Sequence, residues 1–173
     1  MKLSTIILMS MLLGLVAPVM SSPDIKRDVQ LEQKALQDAR LKALRKVFRE
    51  QPGSQQLLEI ASGYAVFAPV GLDLGLVSSR RTGGILRLNR SGRDTYYTLL
   101  PGPGEEASAA AGLVAILVFQ SDDAFNRFEA DGWTFSSPQE SVLTEMPETT
   151  IYLLSGTPAS LVEAAIAPDV ELN

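Results

Sequence analysis

The chain is 173 residues long with 46% hydrophobic and 20% charged residues, a composition that suits one packed globular domain and excludes intrinsic disorder. It contains no cysteine and no histidine, which removes disulfides, thiolate and imidazole metal ligands, cysteine nucleophiles and imidazole general bases. The formal charge of −5 argues against a general nucleic-acid binder, because that affinity comes largely from neutralising phosphates with cations.

Lys2 precedes an almost wholly apolar run from Leu3 to Val19, and the small residues Ser21 and Ser22 follow before Pro23. This pattern predicts a secretory signal peptide over residues 1–21, cut after Ser21, and hence a periplasmic or secreted protein. The competing reading is a retained membrane anchor; against it, the run is at the short end of what spans a bilayer and Pro18 interrupts it. Residues 22–173 are then expected to form a single domain, large enough to be stable without disulfides.

Between Asp24 and Glu50 there is neither glycine nor proline, and apolar residues recur at Val29, Leu36, Ala39, Ala43, Leu44, Val47 and Phe48. That near-3.6-residue spacing predicts one amphipathic helix over residues 22–50, with Arg45, Lys46 and Arg49 near its negative end and Pro52-Gly53 as its stop. Residues 54–61 read as a second, short helix. From Gly63 the texture changes to short β-branched and apolar runs broken by glycine and proline, a sheet-rich core over residues 63–170. Strands are expected at 64–69, 72–79, 84–89 and 95–100. The last two flank a hairpin through Arg90-Ser91-Gly92-Arg93, while Arg80-Arg81-Thr82-Gly83-Gly84 reads as a charged turn. After a loop at 101–104, residues 112–119 read as a buried strand, with the alanines at 107 and 109–111 offering a helical extension as the alternative, and Ser121 and Asp122 cap a short helix ending at Gly132. Further strand candidates are 133–135, 141–145, 150–154 and 160–166. Early helices and later strands make the class α+β: an N-terminal amphipathic helix packed on a twisted, mostly antiparallel β-sheet with a further short helix.

Charge is sorted along the chain. Residues 1–93 carry 14 Lys and Arg against 7 Asp and Glu, whereas residues 94–173 carry 1 against 13. Such sorting becomes a surface feature only if folding keeps the halves apart, since a sheet drawn from both mixes the signs.

Gly63-Tyr64-Ala65-Val66-Phe67-Ala68-Pro69-Val70 follows the basic helix and precedes glycine-spaced strands. It resembles the opening signature of the SYLF-type lipid-binding family: a Gly-Tyr or Gly-Val pair, an apolar triplet, Pro and another apolar residue. Residues 117–120, then Asp123-Ala124-Phe125-Asn126-Arg127-Phe128, then Trp133-Thr134-Phe135 are similar to the family's strand, short helix and strand, and residues 161–166 to its closing strand. The motif residues are thus Gly63, Tyr64, Phe67, Pro69, Asn126 and Phe128, and the resemblance covers about residues 40–170. The family's glycine-rich stretch is thinned here to Gly71, Gly75, Gly83 and Gly84, and Gly104-Glu105-Glu106-Ala107-Ser108 replaces a glycine-dotted strand, which implies a divergent member with an altered surface; with the leader, the resemblance is to an exported bacterial member. The resemblance implies an α+β domain that binds phospholipid or membrane surfaces, with basic helical residues important.

Independently of the family, Lys34, Arg40, Lys42, Arg45, Lys46 and Arg49 present cations that suit anionic head groups, each worth up to about 1 kcal/mol near a charged surface. Arg80 and Arg81, beside a glycine pair, add a planar fork suited to phosphate or carboxylate. The plainer account is a helix that packs its apolar stripe and solvates its charges, with Asp28, Glu32, Asp38 and Glu50 diluting the basic face. Phe125, Phe128, Trp133 and Phe135 read as core, or else as the wall of an acyl-chain cavity. No metal, cofactor or catalytic residue is expected. Asp122-Asp123 and Glu105-Glu106 lack the alternating oxygen ligands of a calcium loop, no Gly-x-Ser-x-Gly turn exists, and every lysine after the leader lies on the first helix. The expectation is an exported, non-enzymatic domain that binds anionic phospholipid or a membrane surface and not nucleic acid. The alternative is a periplasmic protein-interaction or structural module that docks an acidic protein.

Overall fold

A computed structural model describes residues 23–73, 78–100, 112–132, 146–156 and 165–173. The apolar stripe of the N-terminal segment forms one helix, α1 (Pro23–Glu50), with proline at its first position, where a missing N–H costs nothing. Gln51 N–H closes its last turn on the Val47 carbonyl at 2.8 Å. Gly53 then adopts a left-handed φ of 89°, which glycine tolerates without a Cβ clash, and the chain enters α2 (Ser54–Ile60). The buried Ser54 hydroxyl donates to the Val47 carbonyl at 3.3 Å and ties the two helices together.

The sheet comprises β1 (Gly63–Asp73), β2 (Ser78–Leu88), β3 (Arg93–Leu100), β4 (Val114–Phe119), β5 (Thr149–Ser155) and β6 (Ala165–Pro168). A third helix, α3 (Asp122–Asp131), follows β4. The strand order is β5-β4-β1-β2-β3-β6, with every pairing antiparallel. The class is therefore α+β, with α1 packed on an open antiparallel sheet and a further short helix.

Both faces of the sheet are covered, so β4 and the first part of β1 read as nearly continuous apolar runs rather than alternating ones. On one face Ala65 and Phe67 of β1 join Leu86, Tyr97, Ala115, Leu117 and Phe119 beneath Ala124, Phe125 and Phe128 of α3. On the other, Tyr64 and Val66 join Ile116 and Val118 beneath Ala43, Leu44 and Val47 of α1 and Leu58 of α2. Leu36 of α1 continues that layer over Val70 and Ile85 to Leu172. Ser121 caps α3 by accepting from the Ala124 N–H at 3.2 Å, and Asp122 and Asp123 occupy the first turn, where the helix dipole favours anions.

The expected charged turn at residues 80–84 is instead the middle of β2. Gly83 and Gly84 face Ala68 and Phe67 across the β1 ladder. A Cβ on Gly83 would lie 2.5 Å from Leu36 of α1, and one on Gly84 would lie 2.3 Å from the Phe67 ring. Adjacent glycines thus permit one close approach on each face of the strand, a packing role that is indistinguishable in sequence from turn chemistry. Correspondingly, β1 does not stop at Pro69. Its pairing with β4 ends at Phe67, so beyond that point β2 is its only ladder partner among the described residues, and a residue without an N–H is tolerated. The strand candidates 133–135 and 141–145, the loop at 101–104 and the leader lie outside the described residues. Of the closing strand expected at 160–166, only the last two residues are described, at the start of β6.

Gly84→Val is expected to destabilise the protein by about 2–3 kcal/mol through overpacking against Phe67, read as a lower urea midpoint. Gly71→Ala, whose Cβ meets nothing within 4 Å, is expected to change the midpoint little or raise it.

Candidate functional site

Helix α1 crosses the sheet from the β3 side to β5. Near its middle, Arg40 Nη1 donates to both carboxylate oxygens of Asp94 in β3, at 3.0 and 3.1 Å. Arg87 of β2 donates to the same carboxylate at 2.9 Å, and Gln37 donates to it at 3.0 Å and to the Tyr96 hydroxyl at 3.1 Å. The Arg40 and Asp94 side chains are only 12% and 16% exposed, so this cluster is internal to the helix–sheet interface. Tyr64 lies opposite Arg87 in the ladder; burial pushes its phenol above the ordinary tyrosine value, against the pull of Arg40 and Arg87. Nearer the C-terminus of the helix, Lys46 Nζ donates to the Leu154 carbonyl of β5 at 3.1 Å.

A second ionic cluster gathers at Arg81 of β2. It is ion-paired with Glu32 of α1, and it donates to Asp169 at 2.9 Å and to the Thr98 hydroxyl at 2.6 Å. Asp169 also accepts from the Thr98 hydroxyl and from the N–H groups of Glu171 and Leu172. Burial raises the pKa of this carboxyl. Hydrogen bonds from Thr98, Arg81 and Leu172, together with the Arg81 charge, outweigh burial and hold it below the ordinary aspartate value. On the exposed side, Arg90 pairs with Asp122 at 3.3 Å and Arg93 with Glu129. Acids from the second half of the sequence therefore meet Arg40 and four of the sheet-side arginines.

The C-terminal half of α1 has a different environment. Lys42, Arg45, Lys46 and Arg49 line a cleft of about 620 Å³ between the helix and the sheet. Its remaining described lining is Ala39 and Ala43 of α1, Ala68 and Pro69 of β1, and Val114 of β4. No described lining residue is acidic, and among the described residues Arg49 alone of the four cations has an ion-pair partner, the neighbouring Glu50 at 3.4 Å. The side-chain spacing 42, 45, 46, 49 puts the cations on adjoining turns of one helix face.

Four of the eight candidate head-group residues thus converge. Lys34 is outside the cleft and pairs with Asp38 at 2.7 Å in solvent; Arg40 and Arg81 are held in the internal clusters; the Arg80 side chain lies outside the described residues. Of the motif residues, Gly63, Tyr64, Phe67 and Phe128 are buried, Asn126 is exposed on α3, and Pro69 borders the cleft. A Cβ on Gly63 would lie 2.6 Å from the Phe125 ring, so this glycine lets α3 settle on β1. The space between α3 and the sheet, the other location considered for an acyl chain, holds aromatic rings: Phe119 to Phe125 at 5.9 Å and Phe119 to Phe128 at 4.9 Å between centroids. Sequence reasoning missed Asp94 and Asp169 as neutralising groups, and Ala68 and Val114 as cleft floor. Only the Ala39–Ala43 spacing on the helix signalled the floor. Among the described residues, no helix is long and apolar enough to cross a membrane and no acidic cluster is arranged to hold a metal. No protein-family model and no curated protein matches this chain.

Asp94→Ala is expected to lower stability by about 3 kcal/mol, because it leaves the partly buried Arg40 without its anion; urea unfolding reads the loss. Asp169 contributes stability that is complete above its unfolded pKa of about 3.9 and is lost as pH falls through its lower folded value. Asp169→Asn is therefore expected to flatten the pH dependence of unfolding free energy below about pH 4.

Proposed function

We propose that this chain is an exported, non-enzymatic domain that binds anionic phospholipid, or a membrane surface that carries it, through the C-terminal half of α1. The observation that carries this reading is the cleft, in which four cations stand over a floor of alanine, proline and valine. An anionic lipid has two chemically distinct parts, and the cleft offers a complement to each: ammonium and guanidinium groups for the phosphate, small apolar side chains for hydrocarbon. A merely acidic protein surface accounts for the cations but leaves the apolar floor without a partner, which makes protein docking the weaker reading. Proposed along with this function are export, which rests on the N-terminal apolar run, and membership of the SYLF-type family, which rests on the motifs around Gly63 and Asn126. The observed α+β class agrees with what that resemblance implies.

The strand arginines are not part of the proposed contact, because each of Arg81, Arg87, Arg90 and Arg93 already faces a carboxylate. Binding is expected to rest on about 1 kcal/mol per cation near an anionic surface. Co-sedimentation with phosphatidylglycerol vesicles is accordingly expected to fall by roughly two orders of magnitude when Lys42, Arg45 and Arg49 are all changed to Gln. It should weaken similarly in high salt. Lys34→Glu and Arg90→Glu are expected to leave binding within about twofold, since both side chains are solvated and outside the cleft. Undiminished binding by the triple variant, or equal binding to phosphatidylcholine vesicles, contradicts the reading, and salt-sensitive capture of one acidic protein without vesicle affinity replaces it.

A further inference from the structure

We infer that the α1–sheet cleft seats a single hydrocarbon chain, so that the protein takes up one single-chain anionic amphiphile from water in addition to touching a bilayer. The inference rests on the proposed lipid reading and specifies the ligand of that site.

A helix that only touches head groups needs cations on its outer face and nothing beneath them. Here the cations border a hollow. Its volume, about 620 Å³, falls within the range of pockets that enclose small ligands. The hollow exists because the facing positions are small: Ala39 and Ala43 on the helix, Ala68 and Pro69 at the part of β1 that has passed the end of its β4 pairing, and Val114 where β4 begins. Larger apolar side chains close the same interface on either side, with Leu36 over Val70 and Ile85 toward one end and Leu44 and Val47 over Val66 and Ile116 toward the other. The hollow is thus a local gap in an otherwise packed helix–sheet interface, flanked by these larger side chains. Lys46 is pinned by its bond to the Leu154 carbonyl, so one cation of the rim is fixed in place before any ligand arrives. Pre-set charge beside an apolar slot favours an anionic head with one tail. A two-tailed lipid leaves its second chain in water unless a bilayer receives it.

The test uses the whole mature chain with lysophosphatidylglycerol below its micelle concentration, followed by native mass spectrometry and calorimetry, in parallel with phosphatidylglycerol vesicle binding. Two variants fill the slot without altering charge, Ala39→Phe on the helix and Pro69→Phe at an exposed position of β1; circular dichroism checks that each is folded. One equivalent of the single-chain lipid bound by the wild type, and at least tenfold weaker binding of it by a folded slot-filled variant, are expected. Lysophosphatidylcholine is expected to bind at least tenfold more weakly than its glycerol counterpart. Vesicle affinity without uptake of the single-chain lipid overturns this inference and leaves the phospholipid reading standing. Uptake that both folded slot-filled variants retain in full also overturns it, because the tail then lies elsewhere. Loss of both activities in the wild type overturns the phospholipid reading itself.

Discussion

One carboxylate, Asp94, accepts hydrogen bonds from Arg40 on the helix and from Arg87 on the sheet, and the placement of α1 depends on it. Apolar contacts alone leave a helix free to slide or rotate by a few degrees on a sheet, because they are non-directional. A shared anion between two guanidinium groups is directional, and it sits at the midpoint of the helix. With Arg40 held inward, the helical repeat turns Lys42, Arg45, Lys46 and Arg49 toward the edge of the interface, where they border the cleft. The ionic cluster of Arg81, Glu32 and Asp169 fixes the other end of the helix in the same way and brings the C-terminal residues against it, with Gln33 donating to the Leu172 carbonyl at 2.8 Å.

The same pairing decides which part of the charge asymmetry survives folding. Arg81, Arg87, Arg90 and Arg93 come from the basic half of the sequence, and each meets an acid, three of them from across the sheet or from α3. The strand region is therefore an electrical mosaic. The last two turns of α1 escape neutralisation by described residues, apart from the contact between Arg49 and the adjacent Glu50. A lopsided sequence thus yields a local cationic rim instead of a basic face, and the rim coincides with a sizeable apolar hollow between α1 and the sheet.

The sequence revealed the architecture more readily than the site. A 28-residue amphipathic helix without internal glycine or proline has few alternatives, and α3 was legible from Ser121 and the Phe125–Phe128 spacing. The β1–β2 boundary was not, because Pro69 and the Gly83-Gly84 pair carry turn chemistry in isolation. What overrides it is tertiary: an absent β4 partner beside Pro69, and Leu36 and Phe67 pressing on either side of the glycines. In the site, the cation spacing on α1 was visible, but not which cations would find acids. Arg40 and Arg45 look alike in a list, and Asp94, 54 residues from Arg40, is what separates them. Ala68 and Val114 carried no signal at all, since a small apolar residue in a strand usually means packing rather than a void.

The most direct test of this sorting is a nuclear magnetic resonance titration of the protein with a short-chain phosphatidylglycerol held below its micelle concentration. The account predicts perturbations confined to residues 39–49 of α1, to Ala68 and Pro69, and to Val114, with the side-chain resonances of Lys42, Arg45, Lys46 and Arg49 moving and those of Arg81, Arg87 and Arg93 still. Perturbations centred on the strand arginines or on α3, or none at saturating lipid, would contradict it.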